Sequence, residues 1–503
     1  MEENQDAIKI TYAKNLSKIN FNSTINVNID SNVNIKTILD IDSFVYDKKI
    51  EAGNGKAIFS GKLGVKVLYI DTDNITNIIT DSQSFNENIV DASITSDCII
   101  NLCNISIINN IVSQDSTLKI NCEISCAPVV YLNIGIANRA SNFDNLVTKK
   151  SEINTSTILC KIDSNFEYTT NFETRDNIAK ILCYNSYFAP ISCTANDGSA
   201  TIEGKLYSKL IFETQDDAGN KIKELTDVFN VKTEISLKNM ERDCILDLAC
   251  EINKSLTKIN TEFEEGSSIV TITHNIDVCG VAIKNISIDV VDDMYSTENE
   301  IELTTSKRDY NKNLQTEIVT DSINGEITLS NKEPAIDEIV SNCNINAEIT
   351  NSYIKDNFLI LEGIVSSHLV YIDENKEYQQ KHLELPFVLN SKIELSQLDC
   401  LHSQIDVVDC KTKIKRGTII ELEYDISICL HIYQKDSREI IDNFTLGKAL
   451  DFSNFDYQIF LAKPNESLWQ LCKRIKISPD EIGKYNKDLP LILNGGEKVI
   501  IKR

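Results

Sequence analysis

The chain has no uninterrupted apolar run long enough to cross a bilayer. Its most apolar stretch, Ile269 to Val291, is broken by His274, Asp277, Lys284 and Asp289. The N-terminal segment MEENQDAIKI lacks a basic start and an apolar stretch, so no secretory signal is expected. Fifteen cysteines are scattered without a single CxxC pair. The nearest neighbours, Cys98/Cys103 and Cys122/Cys126, have no histidine at zinc-finger spacing. Reduced, mostly buried thiols in a cytosol are expected, and no metal. HExxH, GxSxG and GxxxxGK[ST] are all missing. Lys62 follows Gly61 as a phosphate-loop lysine would, but Leu63 stands where Ser or Thr is needed. The five histidines, His274, His368, His382, His402 and His431, are dispersed. The residues nominate no catalytic group and no cofactor, so the chain is expected not to be an enzyme.

What is present is enough apolar residue, 42 % of 503, for several buried cores. The net charge of −25 disfavours nucleic acid and anionic membranes. It is uneven. Tyr457 to Arg503 carries nine Lys/Arg and five Asp/Glu, a net of +4, which leaves −29 on the preceding 456 residues. A basic tail on an acidic body can dock on an acidic surface.

Three segments align without gaps: Gly61-Lys-Leu-Gly-Val-Lys-Val-Leu-Tyr69, Gly204-Lys-Leu-Tyr-Ser-Lys-Leu-Ile-Phe212 and Gly363-Ile-Val-Ser-Ser-His-Leu-Val-Tyr371. Each enters a polar turn: Asp71 to Asn74, Gln215 to Asn220, Asp373 to Lys376. Phe85, Phe229 and Phe387 follow the three glycines by 24, 25 and 24 residues. Glycine-to-glycine periods of 143 and 159 residues make each repeat a whole domain. Leu63, Val65, Val67 and Tyr69 alternate with period two, and so do Ile420, Leu422, Tyr424, Ile426 and Ile428. Cys98 to Ile108 is another long strand-like run. The expected fold is mainly β: three antiparallel domains, sandwich or open barrel, at 1–150, 151–305 and 306–445. A linker at 446–456 and a small domain at 457–503 follow.

The three segments resemble the SPOCS domain of spore-coat morphogenetic proteins. The third departs from the pattern with His368 where the others have Lys66 and Lys209.

In the tail a short strand, Tyr457 to Leu461, precedes Leu468, Leu471, Cys472 and Ile475 at helical spacing. Ser478-Pro-Asp-Glu481 is a capping box for a second helix. That helix is expected to turn Ile482 and Tyr485 inward and to stop near Asn486 in a left-handed conformation. Gly495-Gly496 then leads into the strand Lys498 to Ile501. This strand-helix-helix-strand segment resembles a LysM domain, carried by Leu468-Trp469, Asn486 and the terminal Gly-Glu-Lys-Val-Ile-Ile. The LysM resemblance implies a groove for N-acetylated glycans between two lips, here Pro464 to Ser467 and Asn486 to Leu491. The usual Gly-Asp-Thr is replaced by Asn465-Glu466-Ser467, and Glu is a poorer helix cap than Asp.

Candidate binding residues are therefore Pro464, Asn465, Glu466, Ser467, Trp469, Lys473, Arg474, Asn486, Leu489 and Leu491. Trp469 reads either as a packing residue or as an anchor for a partner. Together, the two resemblances imply a mother-cell scaffold encasing the forespore, whose LysM module binds the coat-basement ATPase SpoIVA. The β domains would then supply further coat contacts. Peptidoglycan is the alternative ligand.

Overall fold

The computed structural model describes residues 7–28, 34–114, 117–137, 145–216, 219–264, 267–330, 332–394, 400–451, 457–486 and 489–502. It is 80 % strand and 3 % helix, so the chain is mainly β.

The first unit contains β1 (Ala7–Asn15), β2 (Ile19–Asn28), β3 (Ile35–Ala52), β4 (Lys56–Asp71), β5 (Thr76–Val90), β6 (Ile99–Gln114) and β7 (Thr117–Ala137). Strands β3, β4 and β5 form an antiparallel meander. The last strand, β7, is the centre of a second sheet, with β1 and β2 along one side and β6 along the other. The two sheets face each other across a core that includes Phe21, Ile25, Phe59, Leu63, Val65 and Ile120. This is a sandwich rather than a barrel: among the described residues no strand pairs across the two sheets.

The plan recurs twice. The second unit has β8 (Leu146–Thr174), the meander β9 (Ile178–Asn196), β10 (Ser199–Asp216) and β11 (Gly219–Ser236), then β12 (Ile245–Ile252), β13 (Lys258–Glu264) and β14 (Ser267–Ser296). The third has β15 (Asn299–Thr328), the meander β16 (Ile336–Lys355), β17 (Phe358–Asp373) and β18 (Tyr378–Glu394), then β19 (Cys400–Lys415) and β20 (Ile419–Ala449). In each, the last strand lies between the first strand and the penultimate ones. The expected division at 150/151 falls inside β8. That at 305/306 falls inside β15, and 446–449, expected as linker, belong to β20. Both strands run on because their partners do, with Asn299 pairing Ala449. The rest of the expected linker, 452–456, lies outside the described residues.

The repeated glycine has a steric cause. Gly61 and Gly363 stand directly opposite Phe85 and Phe387 on the neighbouring strand. A Cβ at Gly363 would come within 2.3 Å of the Phe387 ring and 2.4 Å of the Glu348 carbonyl oxygen. In the second unit Phe229 lies opposite Leu206, and it is Phe188 of β9 that covers Gly204. The one-residue difference in spacing is thus a real change of partner. The polar turns of the first and third units share one device. Asp71 Oδ1 accepts from the backbone N–H of Asp73 and Ile75, and Asp373 Oδ1 from those of Asn375 and Glu377. Most of the equivalent turn, Gln215 to Asn220, lies outside the described residues and side chains.

The β4 segment Val67-Leu68-Tyr69-Ile70 is apolar on both faces because both faces are buried. Val67 and Tyr69 face their own sandwich. Leu68 and Ile70 point the other way, into a cluster shared by all three meanders. Leu68, Ile211 and Val370, each seven residues after its repeat glycine, meet there. So do Leu39, Leu182 and Val340, each the extra residue of a β-bulge against that strand. The bulge turns onto the shared axis a side chain that regular pleating would place elsewhere.

The position five residues after each glycine serves the same junction. Lys66 of the first unit lies over the Tyr184 ring of the second, 4.9 Å from its centroid. Lys209 of the second donates to the Asn342 carbonyl oxygen of the third at 2.7 Å. His368 of the third has Nδ1 3.9 Å from Asp40 Oδ1 of the first, a carboxyl whose pKa burial raises. The three units close cyclically on one another.

Candidate functional site

The tail is the one part of the described chain with helices. Strand β21 (Tyr457–Leu461) pairs antiparallel with β22 (Lys498–Lys502), and α1 (Leu468–Ile475) and α2 (Pro479–Tyr485) lie between them in sequence. Leu471, Cys472, Ile475, Ile482, Leu493, Val499 and Ile501 form its core. The strand-helix-helix-strand order is as the sequence pattern requires.

Its polar residues are used differently from expectation. The cap of α1 is Ser467, not Glu466: Ser467 Oγ accepts from the Gln470 N–H at 3.1 Å, and Gln470 Oε1 accepts from the Ser467 N–H at 2.9 Å. The Ser-x-x-Gln spacing of this capping box was readable in the sequence. Glu466 turns inward and is buried. It binds Arg474 in a two-pronged ion pair at 2.7 and 2.8 Å and accepts from the Lys463 N–H at 2.9 Å. The Arg474 guanidinium holds its carboxyl below the ordinary value. Asn465 adopts φ 60°, a left-handed conformation that Asn tolerates better than most residues.

The first expected lip and the start of α1 are tied to the segment 491–493, at and just beyond the end of the second lip. Asn465 N–H donates to Leu493 O, Leu493 N–H to Glu466 O, and Leu468 N–H to Leu491 O, all at 2.9 Å. Asn486 is also internal. Its side chain donates to Ile482 O and Ile500 O and accepts from the Ile500 N–H at 2.7 Å. The helix does not end left-handed there, since Asn486 has φ −130°. The side-chain stitch to β22 stops α2 instead. Tyr485, expected inward, is exposed and meets Tyr457 edge-on at 6.3 Å. Leu489 packs at the edge of the core, while Pro464, Asn465 and Leu491 are exposed. Lys487 and Asp488, within the second lip, lie outside the described residues.

Trp469 and Lys473 face the body. Trp469 Nε1 donates to Asp293 Oδ2 at 2.8 Å, and Lys473 Nζ to Asp293 Oδ1 at 2.5 Å. Burial would raise the Asp293 carboxyl, but these two hydrogen bonds outweigh it and hold the pKa below its ordinary value. Beside it Tyr295, fully buried, enters the core of the tail. Its hydroxyl donates to Ile477 O at 2.6 Å, and its ring meets Trp469 edge-on at 5.1 Å. Both residues belong to the end of β14, so the small domain is seated on the second unit. Neither was nominated from the sequence. Trp469 is thus a packing residue.

The tail also leaves exposed the outer face of its two-stranded sheet. Tyr457, Ile459 and Leu461 are 58–63 % exposed, opposite Lys502, Ile500 and Lys498 respectively. Among the described residues no three His, Cys, Asp or Glu side chains are grouped to hold a metal. A shallow depression on the first unit is lined by Asp47, Lys62 and Phe85, and there Lys62 pairs with Asp47 at 2.9 Å. Among the described residues no helix is long and apolar enough to cross a membrane.

Comparison with protein-family models, curated proteins and solved structures returns no match.

Proposed function

We propose that the chain is a non-enzymatic scaffold of spore-coat assembly, of the kind that joins repeated SPOCS domains to a LysM domain. It acts in the mother cell at the forespore surface, and its tail binds the coat-basement ATPase SpoIVA. The observation that carries this reading is the outer sheet face of the tail. Tyr457, Ile459, Leu461 and Ile500 form an apolar strip bordered by Lys498 and Lys502. Apolar centres with a charged rim are what protein interfaces use. The backbone bonds of Asn465, Glu466 and Leu468 to Leu491 and Leu493, and the internal roles of Glu466, Arg474 and Asn486, leave few polar groups for a sugar chain.

The exposed Tyr457–Tyr485 pair favours a second reading, because sugar rings stack on aromatic faces. In that reading the ligand is peptidoglycan. The test is equilibrium binding of the purified full chain to the ATPase, with Ile459→Glu/Leu461→Glu as variant. The double variant is expected to bind at least tenfold more weakly, the loss typical of central interface side chains at about 2 kcal/mol. Unchanged binding by a folded double variant would sink the reading. Sedimentation with peptidoglycan, competed by N-acetylglucosamine oligomers, would establish the second one.

A further inference from the structure

The penultimate strands β6, β12–β13 and β19 are equivalent edges of the three outer sheets, and two of them are guarded. The β12–β13 edge is interrupted by a turn and carries Glu251, Lys258, Glu262 and Glu264. Strand β19 carries Asp406, Asp409, Lys411, Lys413 and Lys415, with Lys411 and Lys415 in ion pairs. Strand β6, IINLCNISIINNIVSQ, has no charged residue and no proline over 16 residues. It pairs, among the described residues, only with β7. Among the described residues its outward N–H and C=O groups make no backbone hydrogen bond. Ile108, Ile111 and Val112 on it are 60, 46 and 57 % exposed. Between its two bulges, Ser106–Ile111 is regular strand. The other uncharged edge, β2, exposes only Asn20, Asn22, Asn26 and Asn28. Natural sheet proteins blunt such edges with charge, proline or interruption. Here two equivalents are blunted and one is not.

We propose that β6 is a self-association edge, where the β6 strands of two copies pair antiparallel across a two-fold axis. An antiparallel edge is its own complement, so a second copy fits without any new surface. Charge selects the same occupant. Two chains of −25 repel over most of their surfaces, and an uncharged strip is where they can meet. This surface is independent of whatever the tail binds.

The test is sedimentation equilibrium of the full chain alone over a range of concentrations and salt. The mass should rise from 56.6 kDa toward twice that value. Ile108→Lys and Ile111→Lys should each raise the midpoint concentration at least tenfold. Val388→Lys, at an equally exposed site on β18, should leave it unchanged. Added salt should tighten the dimer by screening repulsion; a dimer made by the basic tail on another copy's acidic body would loosen instead. In the unaltered chain, amide exchange over 106–111 should slow at least tenfold at dimer concentrations, a readout that needs no variant. A constant 56.6 kDa mass, loosening by salt, or exchange over 106–111 indifferent to concentration would each overturn the proposal.

Discussion

Three side chains from three units, Tyr131, Asp247 and His431, meet where water does not reach. The Tyr131 hydroxyl donates to one Asp247 oxygen, and His431 Nε2 lies 3.0 Å from the other. Thr316 Oγ1 is 2.9 Å from His431 Nδ1. Burial alone would lower the His431 pKa, but the adjacent Asp247 carboxylate overcomes it and brings the imidazole up to about 10. A folded-state value above the unfolded value of about 6.5 fixes the sign of the pH effect. The stability it adds is fully present below about pH 6.5 and is lost as pH rises through about 10. Thermal unfolding at pH 6, 8 and 10 should show that decline. His431→Gln should flatten it while lowering stability at pH 6 by about 3 kcal/mol or more, the cost of stranding a buried partner. A variant with the same alkaline slope as the parent would contradict this. His274 is the opposite case. It is buried without a carboxylate, and burial depresses it to about 4.

At the scale of elements, the meanders were legible and the seat of the tail was not. Strand β4 announces itself because Leu63, Val65, Val67 and Tyr69 share one face, and because Gly61 and Phe85 must oppose each other. The first helix of the tail was legible through the spacing of Leu471, Cys472 and Ile475, and the second through its Ser478 cap and Pro479, signals that are local by nature. Even there Glu466 was misread, since whether a carboxylate caps a helix or turns inward depends on Arg474 a helix away. Asp293 carries no local mark. It is one acidic residue among 75, and its partners lie 176 and 180 residues on. Only the packed structure makes it the hinge pin of the tail. Asp293→Ala should therefore release Trp469 and Lys473. Trp469 is the sole tryptophan, so its fluorescence reports the seat directly. A red-shifted emission and easier acrylamide quenching are expected, with β-sheet content unchanged. Because the carboxyl pKa is depressed, the seat is stable above the ordinary carboxylate range and loosens as acid protonates Asp293. Emission unchanged in the variant would show that Tyr295 alone holds the tail.

The whole molecule poses a different question, whether three repeated units make three independent bodies. Linked domains that touch lightly unfold separately, whereas a large apolar interface joins them. Here each meander has two buried faces, one for its own sandwich and one for the shared cluster of Leu39, Leu68, Leu182, Ile211, Val340 and Val370. The outer sheets meet as well: Ala13, Val129 and Tyr131 pack with Val281, Ile283, Leu314 and Tyr433. A unit taken alone would leave both of these faces in water. At about 25 cal/mol per Å² of apolar surface, that loss competes with the stability of a domain this size. The repeats are therefore thirds of one body, and calorimetry of the full chain should give one transition for them. Leu68→Ala tests the coupling because its side chain lies in the shared cluster and not in the first sandwich. It should cost about 2–5 kcal/mol. Amide exchange should quicken together in β4, β10 and β17, although only β4 carries the change. Faster exchange confined to the first unit, or a transition split into parts, would mean that the units fold separately and the axis merely holds them in place.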